Sequence, residues 1–254
     1  MKLVRFVYRE APAWGLVEDE VVYLVRGSVY EERFDRGPAV GVVDQLDLLA
    51  PCDATKIIGA AQNYHRESLR RVNNLPPVPR FFFRPPTSLN GHLDPVVYPP
   101  DSEDVIHEAE IALVVKRRAR NVPEERAADY ILGYTCANDL TATDFLRVDG
   151  IPDRGKGLDT LCPLGPVLVT DLDPMATSIT CRVNGEVRQR APTTEMVFNP
   201  FEYLSFVSRM LTLLPGDVIL TGSPRGMSQV HPGDVVEVEV PGIGVLRNPI
   251  VAGE

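Results

Sequence analysis

The sequence predicts a β-rich α+β protein with few short helices, and three observations carry that reading. Short β-type runs recur along most of the chain, each bounded by Gly, Pro, Asn or Asp turn signals. Only one long stretch is punctuated as a helix. The composition, 44% hydrophobic and 24% charged over 254 residues, is that of a globular domain with a sizeable core.

Residues 1 to about 50 alternate strand runs (LVRFVY, WGLVEDEVVYLV) with turns and close on DQLDLLAPCD, which reads as a helix or turn. This gives a small N-terminal β-rich domain over 1–54 and a larger domain over 55–254. KIIGAAQNY begins the second as a buried strand running into a loop. Residues 65–80 (HRESLRRVNNLPPVPR) lack a sustained period and read as a short helix and a surface loop. FFFR and VVY are strands separated by PPTSLNG. HEAEIALVV is a strand, and VPEERAADYILGY a helix with Pro123 at its first position and Gly133 as its stop. YTCAND returns to strand. PVLVT, SITCRVNGEVRQ with an Asn184-Gly185 hairpin turn, DVILTG and DVVEVEV complete the β-rich half. In the last, Val236, Val238 and Val240 share one face and Glu237 and Glu239 the other.

Several classes are excluded by what the chain lacks. A net charge of −9 argues against a general nucleic-acid binder. No run reaches 18 apolar residues, so no membrane helix is expected. Charge at Lys2, Arg5, Arg9 and Glu10 breaks any signal-peptide core. Cys52, Cys136, Cys162 and Cys181 form no close pair, and a reduced cytoplasmic protein is the expectation. There is no G-x-G-x-x-G and no P-loop, GSPRG is not a nucleophile elbow, and HEAEI is not HExxH.

One pattern carries chemistry. Glu108 and Glu110 alternate in a largely buried strand, so period 2 puts both carboxylates on one face, where they repel unless a cation or donors compensate. Asp139, about thirty residues on, sits where a strand ends. On spacing alone, the two Glu read equally as the solvated side of an edge strand or, with an Asp, as an all-oxygen site for Mg²⁺, Mn²⁺ or Ca²⁺.

From Lys56 onward the blocks KIIGAAQNY, FFFRPPTSLNG, HEAEIALVV, ADYILGYTCANDLTATD, GKGLDTLCPLGPVLVT, VNGEVRQ, PGDVILTGSPRGM and GDVVEVEVPGIGVLRN occur in one order. In that order they resemble the fumarylacetoacetate hydrolase superfamily, including its small bacterial hydratase and decarboxylase members. The resemblance implies a mixed β-sandwich or roll and a homodimer. It implies Glu108, Glu110 and Asp139 as metal ligands, with Lys156 in the substrate pocket and Ser223, Arg84 and Tyr64 as substrate contacts. Family members carry a His–Glu acid/base pair after N-Y-x-x; here Glu67 and Arg70 stand at those two positions and His65 is two residues out of register. Thr143 replaces the Arg of the family's N-D-x-x-A-R-D block and Leu146 the Gln just after it, while Arg84 replaces a Lys. Glu67, or else His65, is the expected proton-moving group. Arg66, Arg70, Arg71, Arg80 and Arg84 read as either a solvated cluster or an anion-binding one.

The expected activity is a divalent-metal-dependent reaction of a small anionic oxo acid or diketone through a metal-bound enolate, with C–C bond hydrolysis first. A 2-oxo acid hydratase, decarboxylase or tautomerase is the alternative. A biosynthetic cyclase or isomerase, or a catalytically silent small-acid binder, could stand on the same scaffold.

Overall fold

The computed structural model describes residues 1–64 and 76–253. His65, Arg66, Glu67, Arg70 and Arg71 lie outside the described residues, as does most of the helix and loop expected over 65–80.

The chain opens with an antiparallel meander: β1 (Lys2–Tyr8), β2 (Ala11–Glu18), β3 (Val21–Ser28) and β4 (Arg33–Val42). The DQLDLL stretch becomes a turn of 3₁₀ helix, Val43–Gln45, and the two-residue β5 (Leu48–Leu49), which pairs with β1. Then come β6 (Ile57–Ala61), β7 (Arg80–Arg84), β8 (Leu89–Asn90), β9 (Val96–Tyr98) and β10 (Val105–Ile106). The centre consists of β11 (Ala109–Val115), β12 (Ile131–Asn138) and β13 (Thr141–Ala142), followed by α1 (Thr143–Asp149) and α2 (Asp153–Lys156). The rest is β14 (Cys162–Val169), the hairpin β15 (Ser178–Val183) and β16 (Glu186–Pro192), α3 (Pro200–Met210), β17 (Val218–Leu220), β18 (Val235–Val240) and β19 (Gly244–Ala252).

The strands form two main sheets, the β-rich α+β architecture expected. The larger has the order β4-β3-β2-β1-β14-β12-β11-β17-β6-β7, with β5 on β1 and β8 on β14. The smaller, β16-β15-β18-β19-β9, lies against it where β14 meets β19 and β12 meets β18. Because β1 pairs antiparallel with β14 (Lys2↔Val169), the N-terminal meander is continuous with the central sheet.

Burial explains why β11 and β12 read as continuous apolar runs. On one side Ile111 and Leu113 pack with Val236, Val238 and Leu246 of the smaller sheet. On the other, Ala112 and Val114 pack with Leu3, Leu168, Val218 and Leu220. Ile111, Leu113, Val114 and Val115 are all fully buried, worth roughly 6–12 kcal/mol of apolar transfer. That offsets the cost of the carboxylates at the end of the same strand. The alternation expected at 236–240 is present, with the three valines inward and β18 between β15 and β19.

Two local expectations are corrected. The predicted helix over VPEERAADYILGY is a 3₁₀ helix, Glu124–Tyr130, with Pro123 as its N-cap and not its first residue. Gly133 is no helix stop: it lies inside β12, where a Cβ would stand 2.6 Å from the Val169 carbonyl oxygen. Pairing with β11 and β14 on both edges draws Ile131–Asn138 into strand, overriding local preference. Glu108 precedes β11, with Ala109 as the first strand residue. α3 is an amphipathic helix opened by a capping box, Asn199 with Glu202, and was not anticipated. Among the described residues, no helix is long and apolar enough to cross a membrane.

The parallel pair β6–β17, which brings the 221–224 loop to the site, is tied by one fully buried carboxylate. Asp217 Oδ1 accepts from Thr55 N (3.0 Å), Thr55 Oγ1 (2.7 Å) and Lys56 N (3.1 Å), while Oδ2 accepts from Leu214 N (2.7 Å) and pairs with Lys56 Nζ. Asp217→Ala is therefore expected to cost about 3–5 kcal/mol, since it orphans buried donors together with a charge. Urea denaturation checks this, and a loss below about 1 kcal/mol would contradict it.

Candidate metal centre

The site forms where the end of β12 and the start of β11 meet. Glu108 N donates to Asn138 Oδ1 (3.0 Å) and Asp139 N to Glu108 O (2.8 Å), so the backbone itself holds Glu108 beside Asp139. Glu110, two residues along, turns to the same point. One carboxylate oxygen from each of Glu108, Glu110 and Asp139 lies within 4.8 Å of the others. Glu110 and Asp139 are 1% exposed, and Glu108 retains some access to solvent.

Three carboxylates at that spacing need compensation, and two cations supply part of it. Lys156, the last residue of α2, donates to Asp139 Oδ2, to Asp139 O (3.0 Å) and to Glu108 Oε2 (3.2 Å). The Arg84 guanidinium, fully buried, sits behind Asp139 with Nε 2.6 Å from Oδ1 and donates to the Leu140 carbonyl. Glu110 Oε2 accepts from Gly222 N (2.6 Å). Gly222 has φ +91°, and a Cβ there would lie 2.8 Å from Asn63 Cβ, so glycine suits the turn that aims this N–H. Thr141 Oγ1 donates to Glu108 Oε1 at 3.3 Å.

The electrostatics follow from this crowding. Burial raises the Glu108 carboxyl above its ordinary value, with Lys156 pulling it back and Asp139 adding to the rise. Burial, then repulsion from Asp139, pushes Glu110 well above its usual range. For Lys156, burial disfavours the charge, but Asp139 and Glu108 outweigh it and hold the ammonium form. An all-oxygen set of three crowded carboxylates, with fewer cations than anions, fits a hard divalent ion.

The cluster opens into a cleft of about 390 Å³. Glu108, Lys156, Ser223 and Gln62 are its polar lining, and Phe81, Phe82, Leu146 and Pro152, with Ala60 and Ala61, are its apolar lining. The Phe82 ring centroid lies 5.0 Å from Lys156 Nζ.

Residues 56–251 match the family model for the C-terminal region of fumarylacetoacetate hydrolase, and residues 1–51 match the Rv2993c-like N-terminal model. The chain belongs to the fumarylacetoacetate hydrolase family. Among curated relatives, the mitochondrial oxaloacetate tautomerase fahd2 of Xenopus laevis is 38% identical over 219 residues, which cover 81% of this chain and 69% of that one. Among solved structures, 5-carboxymethyl-2-hydroxymuconate delta-isomerase from Mycobacterium smegmatis matches over 100% of both chains at 39% identity and a TM-score of 0.92. Maleylpyruvate hydrolase from Sphingobium sp. SYK-6, in complex with manganese(II) and pyruvate, matches over 100% of both at 26% and 0.81.

Within this member of the fumarylacetoacetate hydrolase family, the residues singled out from sequence fall into three groups. Glu108, Lys156 and Ser223 line the cleft, and Glu110 and Asp139 converge with Glu108 beside it. Arg84 is not a surface cation: it backs Asp139 and is absent from the cleft lining. Tyr64 is buried, bridges Met196, and its hydroxyl has no partner among the described residues; burial, then Glu110, raises its phenol. Thr143 turns to Asp104, donating to its carbonyl at 3.1 Å, while Leu146 lines the cleft. Exposed Arg80 donates to Gln62 at 2.9 Å. His65 and Glu67 lie outside the described residues. Sequence reading missed Gln189, His107 and Thr141, which hold the site from behind. The VNGEVRQ block contains Gln189, but nothing local marks that glutamine as buried.

Proposed function

We propose that the protein is a divalent-metal-dependent enzyme acting on a small 2-oxo acid or 1,3-dicarbonyl through its enolate, with keto–enol tautomerisation or isomerisation as the reaction. The observation that carries this is the convergence of Glu108, Glu110 and Asp139 with Lys156 beside a partly apolar cleft. A divalent ion held by these carboxylates would reverse the net charge of the cluster and act as a Lewis acid toward a 2-oxo acid and its enolate.

The chain's own groups do the rest. Arg84 neutralises Asp139 from the protein side and keeps that carboxylate turned to the site. Lys156 places an ammonium where negative charge develops on a substrate oxygen. Ser223 offers a hydroxyl in the same cleft, and the Phe81, Phe82 and Leu146 wall limits water. Proton transfer at carbon is assigned to Glu67 or His65 on sequence grounds. The same reading takes a homodimer as the working unit.

Tautomerisation is placed ahead of C–C hydrolysis because the more similar named relatives are a tautomerase and an isomerase. Hydrolytic cleavage of an acylpyruvate is the second reading, favoured by the likeness to maleylpyruvate hydrolase. The test is turnover of oxaloacetate and of an acylpyruvate with Mn²⁺, Mg²⁺ or EDTA. Enol–keto interconversion of oxaloacetate that EDTA abolishes and Mn²⁺ restores is the expected result. Pyruvate released from the acylpyruvate would move the assignment to hydrolysis. Activity untouched by EDTA would overturn the metal reading altogether.

A further inference from the structure

Behind the cleft, Gln189 is 1% exposed on β16, a strand of the smaller sheet whose Glu186, Val187 and Arg188 are exposed. All four hydrogen-bonding positions of its amide are used. Oε1 accepts from Ala109 N (3.0 Å), the backbone N–H between the two glutamates of the metal centre, and meets His107 Nδ1 at 3.0 Å. Nε2 donates to the Pro224 carbonyl (2.7 Å) and to Ser223 Oγ (2.8 Å).

The orientation of this amide is dictated by groups that cannot exchange roles. Ala109 N–H only donates and the Pro224 carbonyl only accepts, so the amide oxygen faces β11 and the nitrogen faces the 221–224 loop. His107 agrees: Ser228 N donates to its Nε2 (3.3 Å), which leaves the proton on Nδ1, directed at Gln189 Oε1. Ser223 Oγ therefore accepts from Gln189. Its own proton has no acceptor among the described residues, and the side chain borders the cleft beside Glu108 and Lys156.

We infer that Gln189 is a positioning residue that fixes Ser223 as a hydrogen-bond donor toward an acceptor oxygen, carboxylate or enolate, of the bound ligand. The network favours a ligand acceptor over a ligand donor at this point, because the Gln189 amide already takes one of the two lone pairs of Ser223 Oγ and leaves its proton free to donate. It also ties that donor to the strand bearing Glu108 and Glu110, so oxygen recognition and the metal centre share one rigid support.

This rests on the 2-oxo-acid reading of the cleft, and the probe is oxalate, a stable dianionic mimic of such an enolate, titrated into Mn²⁺-loaded protein by calorimetry. Gln189→Glu keeps the shape and still accepts from Ala109 N. A buried glutamic acid has one proton for two acceptors, so Pro224 O takes it and Ser223 turns its own proton inward. Ser223→Ala and Gln189→Glu are each expected to weaken oxalate binding by about tenfold, and the double variant by no more than either alone. Manganese affinity and the thermal midpoint stay near wild type in all three. Multiplying losses in the double variant, or lost manganese affinity in Gln189→Glu, would reduce Gln189 to a structural support and overturn the inference. Wild-type oxalate affinity in Gln189→Glu would overturn it as well, leaving the 2-oxo-acid reading intact. A wild type that binds manganese but no oxalate would overturn that reading and, with it, the donor role given to Ser223.

Discussion

Glu110→Gln is expected to make the metal-free protein more stable at neutral pH while weakening manganese binding by more than about 100-fold. The two effects share one cause. Glu110 is buried against Asp139 and Glu108, and burial first, then Asp139, raise its carboxyl well above the ordinary 4.5. Between 4.5 and the raised value the folded state binds more protons than the unfolded state, so stability falls as pH rises through that window. Glutamine copies the protonated form and can still accept from Gly222 N, so it removes this penalty. The metal-free midpoint should rise by about 2–6 °C at pH 7, for a gain of about 1–2 kcal/mol in a chain this size. The advantage over wild type should shrink on acidification and vanish below about pH 4.5. Metal binding needs the charge that the substitution removes; losing a ligand costs more than the 10–100-fold seen for supporting residues. Thermal scans from pH 4.5 to 7.5 with and without Mn²⁺ test both halves. A metal-free Glu110→Gln that is less stable than wild type at pH 7, or that keeps wild-type manganese affinity, would show that the cluster is not a strained metal site.

That strain helps explain which parts of the molecule were readable in one dimension. Glu108 and Glu110 stand out because carboxylates two apart beside IALVV conflict with a buried strand, and such a local conflict marks a functional position. Lys156 and Ser223 came from ordered sequence blocks and not from any physical signal of their own. Arg84 reads from sequence as a solvated or anion-binding cation because arginine is seldom fully buried; only the three-dimensional partner, Asp139, accounts for its burial. Gln189 on β16 and His107 in the link between β10 and β11 lie 82 residues apart, so no spacing rule connects them. The strand alternation at 236–240 was legible because that strand has one inward side. Ile131–Asn138, buried on both, carries no period, and its Gly133 looked like a helix stop. α3 did have a readable signal, Asn199-Pro200 followed by Glu202, at the head of an amphipathic run.

Lys156→Met is expected to move metal affinity and turnover in opposite directions, which separates its role from that of a ligand. The ammonium contacts Asp139 Oδ2, Asp139 O and Glu108 Oε2, on two of the three carboxylates that would hold the ion. Removing it leaves those carboxylates under-compensated, so the metal-free protein should lose about 3–5 kcal/mol, the usual cost of breaking one side of a buried pair. A divalent ion then meets less positive charge and less competition for the same oxygens, so manganese affinity should rise several-fold. Methionine retains most of the side-chain volume against Phe82, which keeps the cleft shape and confines the change to charge. On the proposed reading turnover should nevertheless fall by about 10²–10³, because the ammonium assigned to the substrate oxygen that gains charge is lost. The expected pattern is tighter metal, a larger manganese-induced rise in thermal midpoint than in wild type, and a kcat loss that excess Mn²⁺ cannot restore. Recovery of kcat at high Mn²⁺ would mean that Lys156 only organises the ligands. Weaker manganese binding in the variant would mean that the ammonium holds Glu108 and Asp139 in place for the ion more than it competes with it.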